Sequence, residues 1–125
     1  MKMARARMQT EREERITNEV VVDAYDEVER AMSWYYYLDE SLHFPFAAKC
    51  CKKRDASPLR VGESVEIVGM AKEDDCMAEV FVIARLHGKS KLAVPLGQLE
   101  CLSSDNTTGQ AVADWHYWLA RGYQY

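Results

Sequence analysis

The chain has 125 residues, enough for one domain and hardly for two. Its 48% apolar and 29% charged residues are the balance of a globular protein rather than a disordered one. A formal charge of −4 speaks against a nucleic-acid partner held on a basic face.

No apolar run approaches the roughly 18 residues of a membrane span, which speaks against a membrane partner. Lys2, Arg5 and Arg7 are followed by the charged stretch Glu11–Arg15 rather than by an apolar core, so no secretory signal is read and the expected compartment is the cytoplasm. Residues 1–10 read as a basic extension and 11–125 as a single domain. Thr10 and Glu13 have capping-box spacing, and Ile16, Val20, Ala24, Val28, Ala31 and Tyr35 recur every three or four residues. The pattern predicts a long amphipathic helix from Glu11 to about Met32, with Asp26 and Arg30 as an i,i+4 pair. It continues, or restarts after Ser33, through Trp34 to Leu42, and Pro45 stops it.

From Phe44 short β-prone runs take over. Strands are expected at Ala47–Lys53, Ser64–Gly69, Glu79–Leu86 and Lys91–Pro95, with a hairpin turn at His87-Gly88-Lys89. Pro58–Gly62 reads as a connecting turn and Ala71–Cys76 as an acidic loop. After a polar linker, Thr107 and Gln110 offer a second capping box. A closing helix carries Val112, Trp115 and Leu119, with Gly122 as its stop. The fold class is α+β: a long N-terminal helix, a small, strongly bent antiparallel sheet resembling an SH3-like barrel, and a C-terminal helix. The barrel is an analogy.

Negative charge between residues 19 and 40 is the strongest chemical feature. Glu19, Asp23, Asp26, Glu27, Glu29, Asp39 and Glu40 stand against the single base Arg30. On one continuous helix Glu19, Asp23 and Asp26 share a flank, while Glu27 falls beside the apolar stripe, where an ionised carboxylate needs a partner. Asp23 and Glu27, four apart, repel unless a cation sits between them. Calcium takes about six to eight oxygens, more than one helix supplies, so Asp39 and Glu40 or the loop acids Glu73, Asp74 and Asp75 have to approach. A solvated acidic face is the plain alternative. No D-x-[DN]-x-[DN]-G-x5-E pattern occurs, so any calcium site is not an EF-hand.

Other chemistries find less support. Trp34-Tyr35-Tyr36-Tyr37, Phe44-Pro45-Phe46 and Trp115-His116-Tyr117-Trp118 suit core packing better than a ligand platform. Cys50, Cys51, Cys76 and Cys101 form no C-x-x-C pair, which leaves a zinc or thiol site as a rival without a motif. No nucleophile elbow, phosphate loop or H-E-x-x-H is present, so an enzyme is not expected. An SH3-like module binding a protein segment is the alternative function.

Several segments form a recognisable series. Arg15-Ile16-Thr17-Asn18-Glu19 leads into Val22-Asp23-Ala24-Tyr25; Trp34-Tyr35-Tyr36-Tyr37-Leu38 leads into Phe44-Pro45-Phe46 and Ala48-Lys49-Cys50. Ser57-Pro58-Leu59, Gly69-Met70-Ala71, Leu92-Ala93-Val94-Pro95-Leu96, Gln98-Leu99 and Ala113-Asp114-Trp115-His116-Tyr117-Trp118 follow. In this order, over residues 13–123, they resemble the CcbP family of small calcium-binding proteins of heterocyst-forming cyanobacteria. The resemblance implies a cytosolic, non-enzymatic protein that binds and sequesters Ca2+ without EF-hands. It favours Glu19, Asp23, Asp39 and the acidic turn after Met70 as ligands.

Overall fold

A computed structural model of the protein describes residues 10–86 and 90–121. The basic start up to residue 9, the turn at 87–89 and Gly122 lie outside the described residues. Three helices and five strands follow one another: α1 (Thr10–Arg15), α2 (Glu27–Ser41), β1 (Phe46–Cys50), β2 (Ser64–Met70), β3 (Phe81–Leu86), β4 (Ser90–Pro95), β5 (Leu99–Cys101) and α3 (Asn106–Ala120). Among the described residues no helix is long and apolar enough to cross a membrane.

The long N-terminal helix is not formed. α1 passes into a π-helical turn, Ile16–Val20, and the chain breaks at 21–26 before α2 begins. Three causes converge there. Val20, Val21 and Val22 are consecutive β-branched residues, poor helix formers. Asp23 takes a left-handed conformation at φ 63°, which ends a right-handed helix. Asp26 then caps α2: its carboxylate accepts from the Glu29 amide at 2.8 Å, and the Glu29 carboxylate accepts from the Tyr25 amide. Asp26 is therefore a cap rather than the start of a mid-helix pair with Arg30. The break also resets the helical phase. Val28 is 58% exposed, and α2 buries Ala31, Trp34 and Leu38 instead.

The strands form one antiparallel sheet in the order β4-β3-β2-β1-β5. It is not closed into a barrel. β4 pairs with β3 alone and β5 with β1 alone, so the sheet keeps two edges. β5 was not expected, being too short at three residues to show alternation. Its outer edge is met by a helix rather than by β4: the His116 imidazole Nε2 lies 2.6 Å from the Leu99 carbonyl on α3's side. The expected acidic loop contains a 3-10 helix, Glu73–Cys76. α3 is capped by Asp105, which accepts from the Thr108 amide at 2.8 Å, and not by Thr107; Thr108 accepts from the His43 amide.

The core lies between the helices and the inner face of the sheet, where Ala48, Ile67, Val82, Ala84 and Val94 are buried. Its centre is aromatic. Trp34 meets Trp115 edge-on with centroids 5.1 Å apart, and Tyr37 and Trp118 complete the cluster. Beside it Asp114 is fully buried and accepts from Arg12 at 2.6 Å, from Arg15 at 2.7 and 3.1 Å, and from the Tyr37 hydroxyl at 2.6 Å. Burial, then the hydrogen bond to Asp114, pushes the Tyr37 phenol up to about 12. This network ties α1 to α2 and α3.

Burial lowers the pKa of His116 below the ordinary imidazole value of 6.5, more than its bond to Leu99 raises it. The unfolded chain thus takes up this proton at a higher pH than the folded one. Stability contributed by the neutral ring is complete above 6.5 and declines as the pH falls toward the lowered value. His116→Gln, which keeps a donor for Leu99, is expected to flatten the fall in urea midpoint between about pH 7.5 and 5.5. An unchanged slope would rule His116 out as its source.

Candidate metal centre

The nine candidate carboxylates fall into two groups. Glu19, Asp23, Asp26 and Glu27 surround the helix break, and all four are exposed. Glu27 opens α2 at the surface, away from the apolar stripe, and Asp26 is engaged as the cap. The break removes the continuous helix that would have made Asp23 and Glu27 neighbours four residues apart. The second group comprises Asp39 and Glu40 near the end of α2 and Glu73, Asp74 and Asp75 on the 3-10 helix. Thirteen residues of helix separate Asp26 from Asp39, about 20 Å along the axis. Calcium–oxygen bonds of about 2.3–2.6 Å exclude one ion shared by Asp26 and Asp39.

Two tyrosines join the parts of the second group. The Tyr35 hydroxyl donates to the Ala71 carbonyl at 2.9 Å, fixing α2 against the chain that leads into the 3-10 helix. The Tyr36 hydroxyl donates to the Glu73 carboxylate, and the two rings meet edge-on at 5.6 Å. Burial raises the Tyr35 phenol, followed by the charges of Asp39, Cys76 and Glu73. The bond to Glu73 raises Tyr36, with burial, Glu73 and Asp39 also contributing. Asp39 and Glu73 therefore act on the same pair of phenols from different elements. The sequence favours core packing over a ligand platform for Tyr35 and Tyr36, and their spacing on α2 carries no sign of the acidic turn they meet.

Of the other eleven acids six stand beside a base, while Glu11, Glu14, Glu29, Asp55 and Glu63 share no ion pair with a described residue. Among the described residues Glu13 is paired with Arg121, Glu66 with Arg85, Glu79 with Arg54, Glu100 with Lys49, Asp105 with His43, and Asp114 with Arg12 and Arg15. None of the nine candidates shares an ion pair with a described residue. Their oxygens, with exposed backbone carbonyls and water, are the hard donors calcium prefers, so the donor chemistry fits. A finished cage is absent: among the described residues no three His, Cys, Asp or Glu side chains are grouped to hold an ion. The same observation offers no zinc site, and none of the four cysteines is in a disulfide.

The pattern of a calcium-binding family, CcbP, matches residues 14–119. Among solved structures, the crystal structure of Anabaena CcbP is 42% identical with a TM-score of 0.87, over 98% of this chain and 100% of that one. A calcium binding protein in its calcium-binding form is 41% identical with a TM-score of 0.83, over 94% of this chain and 95% of that one. No curated protein sequence matches. With calcium as its ion, the chain belongs to the CcbP family of calcium-binding proteins.

Proposed function

We propose that calcium binds reversibly where the end of α2 meets the 3-10 helix, with Asp39, Glu40, Glu73, Asp74 and Asp75 as the principal oxygen donors. Glu19, Asp23, Asp26 and Glu27 form a second, more open group of donors around the helix break. Binding alone, without catalysis and without an EF-hand loop, lowers the free ion in the cytosol and so bears on calcium signalling. The observation that carries the assignment is a concentration of acids: five carboxylates at the end of α2 and on the adjoining 3-10 helix share no ion pair with a described residue. Tyr35 and Tyr36 support it further, because they bring Asp39 and Glu73 into one electrostatic neighbourhood.

Calcium titration by calorimetry, with magnesium as competitor, tests the reading together with thermal melts. A ligand that binds only the folded state at about one hundred times its Kd adds about 2.7 kcal/mol of stability. Calcium is expected to raise Tm accordingly, and sodium chloride at equal ionic strength is not. Magnesium, smaller and reluctant to give up its water, is expected to compete weakly. An equal rise with sodium would reduce the effect to charge screening.

A further inference from the structure

Given the calcium site proposed above, on which the inference rests, we propose that Tyr35 is a positioning residue that makes this site favour calcium over magnesium. It does so by holding the acidic turn to α2 at a point where the sheet leaves a rung half made.

Beyond its last strand pair, Met70 opposite Val82, the β2–β3 ladder runs on to Ala71 and Phe81. The Ala71 amide donates to the Phe81 carbonyl at 3.1 Å, which marks a hydrogen-bonded position of an antiparallel pair. Such a pair ordinarily returns a second bond, from the Phe81 amide to the Ala71 carbonyl. Here both of those groups turn to side chains. The Phe81 amide donates to the Cys76 sulfur at 3.4 Å, and the Ala71 carbonyl accepts from the Tyr35 hydroxyl at 2.9 Å. Ala71 is buried, so loss of the phenol leaves its carbonyl without a partner.

The chain between these anchors, residues 72–80, carries Glu73, Asp74 and Asp75. Its 3-10 helix is closed by the Asp75 amide on the Lys72 carbonyl at 2.9 Å. Cys76, also buried, fastens the end of that helix to β3, and Tyr35 fastens the chain before it to α2. Tyr35 and Asp39 are four residues apart on α2, as are Tyr36 and Glu40, so each phenol shares a helix face with one of the α2 acids. Tyr36 donates to the Glu73 carboxylate and orients that one side chain. Tyr35 takes hold of main chain instead, and so fixes where all three turn acids stand relative to Asp39 and Glu40. Burial, with the charges of Asp39, Cys76 and Glu73, raises the Tyr35 phenol and keeps it a donor at neutral pH.

Fixed donor spacing separates the two ions. Calcium takes oxygens at about 2.3–2.6 Å in flexible arrangements, whereas magnesium demands about 2.0–2.1 Å and a near-ideal octahedron. A turn pinned at both ends does not contract onto the smaller ion. Released at Ala71, it holds calcium geometry for less of the time, and the apparent affinity falls with that fraction. The looser turn can close on magnesium, whose affinity therefore holds or rises.

The test compares Tyr35→Phe with Tyr37→Phe, each losing one hydroxyl from α2, by calorimetry with calcium and with magnesium. Tyr35→Phe is expected to weaken calcium about fivefold or more without weakening magnesium, so the ratio of the two affinities falls. The Ala71 amide is expected to exchange faster with deuterium as its rung loosens. Tyr37 bonds to Asp114, so Tyr37→Phe is expected to lower Tm and leave the ratio unchanged. An unchanged ratio in Tyr35→Phe, or an equal fall in Tyr37→Phe, would overturn the positioning role and leave the calcium site standing. Unchanged calcium affinity when Glu73, Asp74 and Asp75 are replaced together by their amides would overturn the site, and the role of Tyr35 with it.

Discussion

Asp114→Asn is expected to destabilise the protein by about 3 kcal/mol, the lower end of the cost of breaking a buried ion pair, because the carboxylate is buried but both arginines are partly exposed. Asp114 takes four hydrogen bonds, two from Arg15 and one each from Arg12 and Tyr37, with no exposure of its own. An amide in its place removes the one carboxylate that the two guanidinium groups share. Against a typical total of about 5–15 kcal/mol the loss is large, and a fall in Tm of more than about 10 °C follows from it. Urea denaturation measures it directly. A loss below about 1 kcal/mol would show that water replaces the carboxylate and that α1 is held mainly by apolar contacts.

The second large effect is on calcium. Changing Glu73, Asp74 and Asp75 together to their amides is expected to lower calcium affinity by about tenfold or more, since three anionic oxygen donors are lost at one place. Asp39→Asn should act in the same direction. The matching triple change at Glu19, Asp23 and Glu27 is expected to leave that site's affinity within about threefold. Glu27 opens α2 and lies about 18 Å along its axis from Asp39, beyond a screening length of about 8 Å at physiological salt, while Glu19 and Asp23 stand before the break, off α2. Calorimetry on both triple variants decides between the groups. The opposite ranking would move the principal site to the helix break, with calcium binding itself unaffected.

Much of this architecture was legible in the chain. The α+β class, four of the five strands and the closing helix follow from hydrophobic period and turn residues, with boundaries displaced by up to three residues. The helix break was written in the sequence too, but in competing signals. Asp26 and Glu29 have capping-box spacing, yet the apolar residues on either side keep a helical period that masks it. β5 was hidden for another reason: its place depends on a partner about fifty residues earlier, Lys49 against Glu100, and three residues carry no period. The barrel inference assumed strands long enough to close on one another; β5 is not, and α3 occupies its edge.

For the site, composition located the acids but not their grouping. Distance along the chain suggested that residues 19–27 act together on one helix, whereas the fold scatters them around a turn. The approach of Asp39 to Glu73 depends on Tyr35 and Tyr36 reaching the chain near Ala71, a long-range contact with no local signature. The pairing of other acids with bases was equally invisible: Glu13 with Arg121 and Asp114 with Arg12 join opposite ends of the sequence.

The position of α3 also orders events during synthesis. α1 rests on Asp114, and α2 packs Trp34 onto Trp115 and Trp118, so neither N-terminal helix has a finished surface to rest on until the last helix has left the ribosome. The hairpins from β1 to β4 can assemble from nearby contacts, while β5 and α3 close the molecule from far along the chain. Nascent chains halted before residue 106 therefore carry an uncovered tryptophan and an unanswered strand edge, the condition in which a growing polypeptide most needs a chaperone.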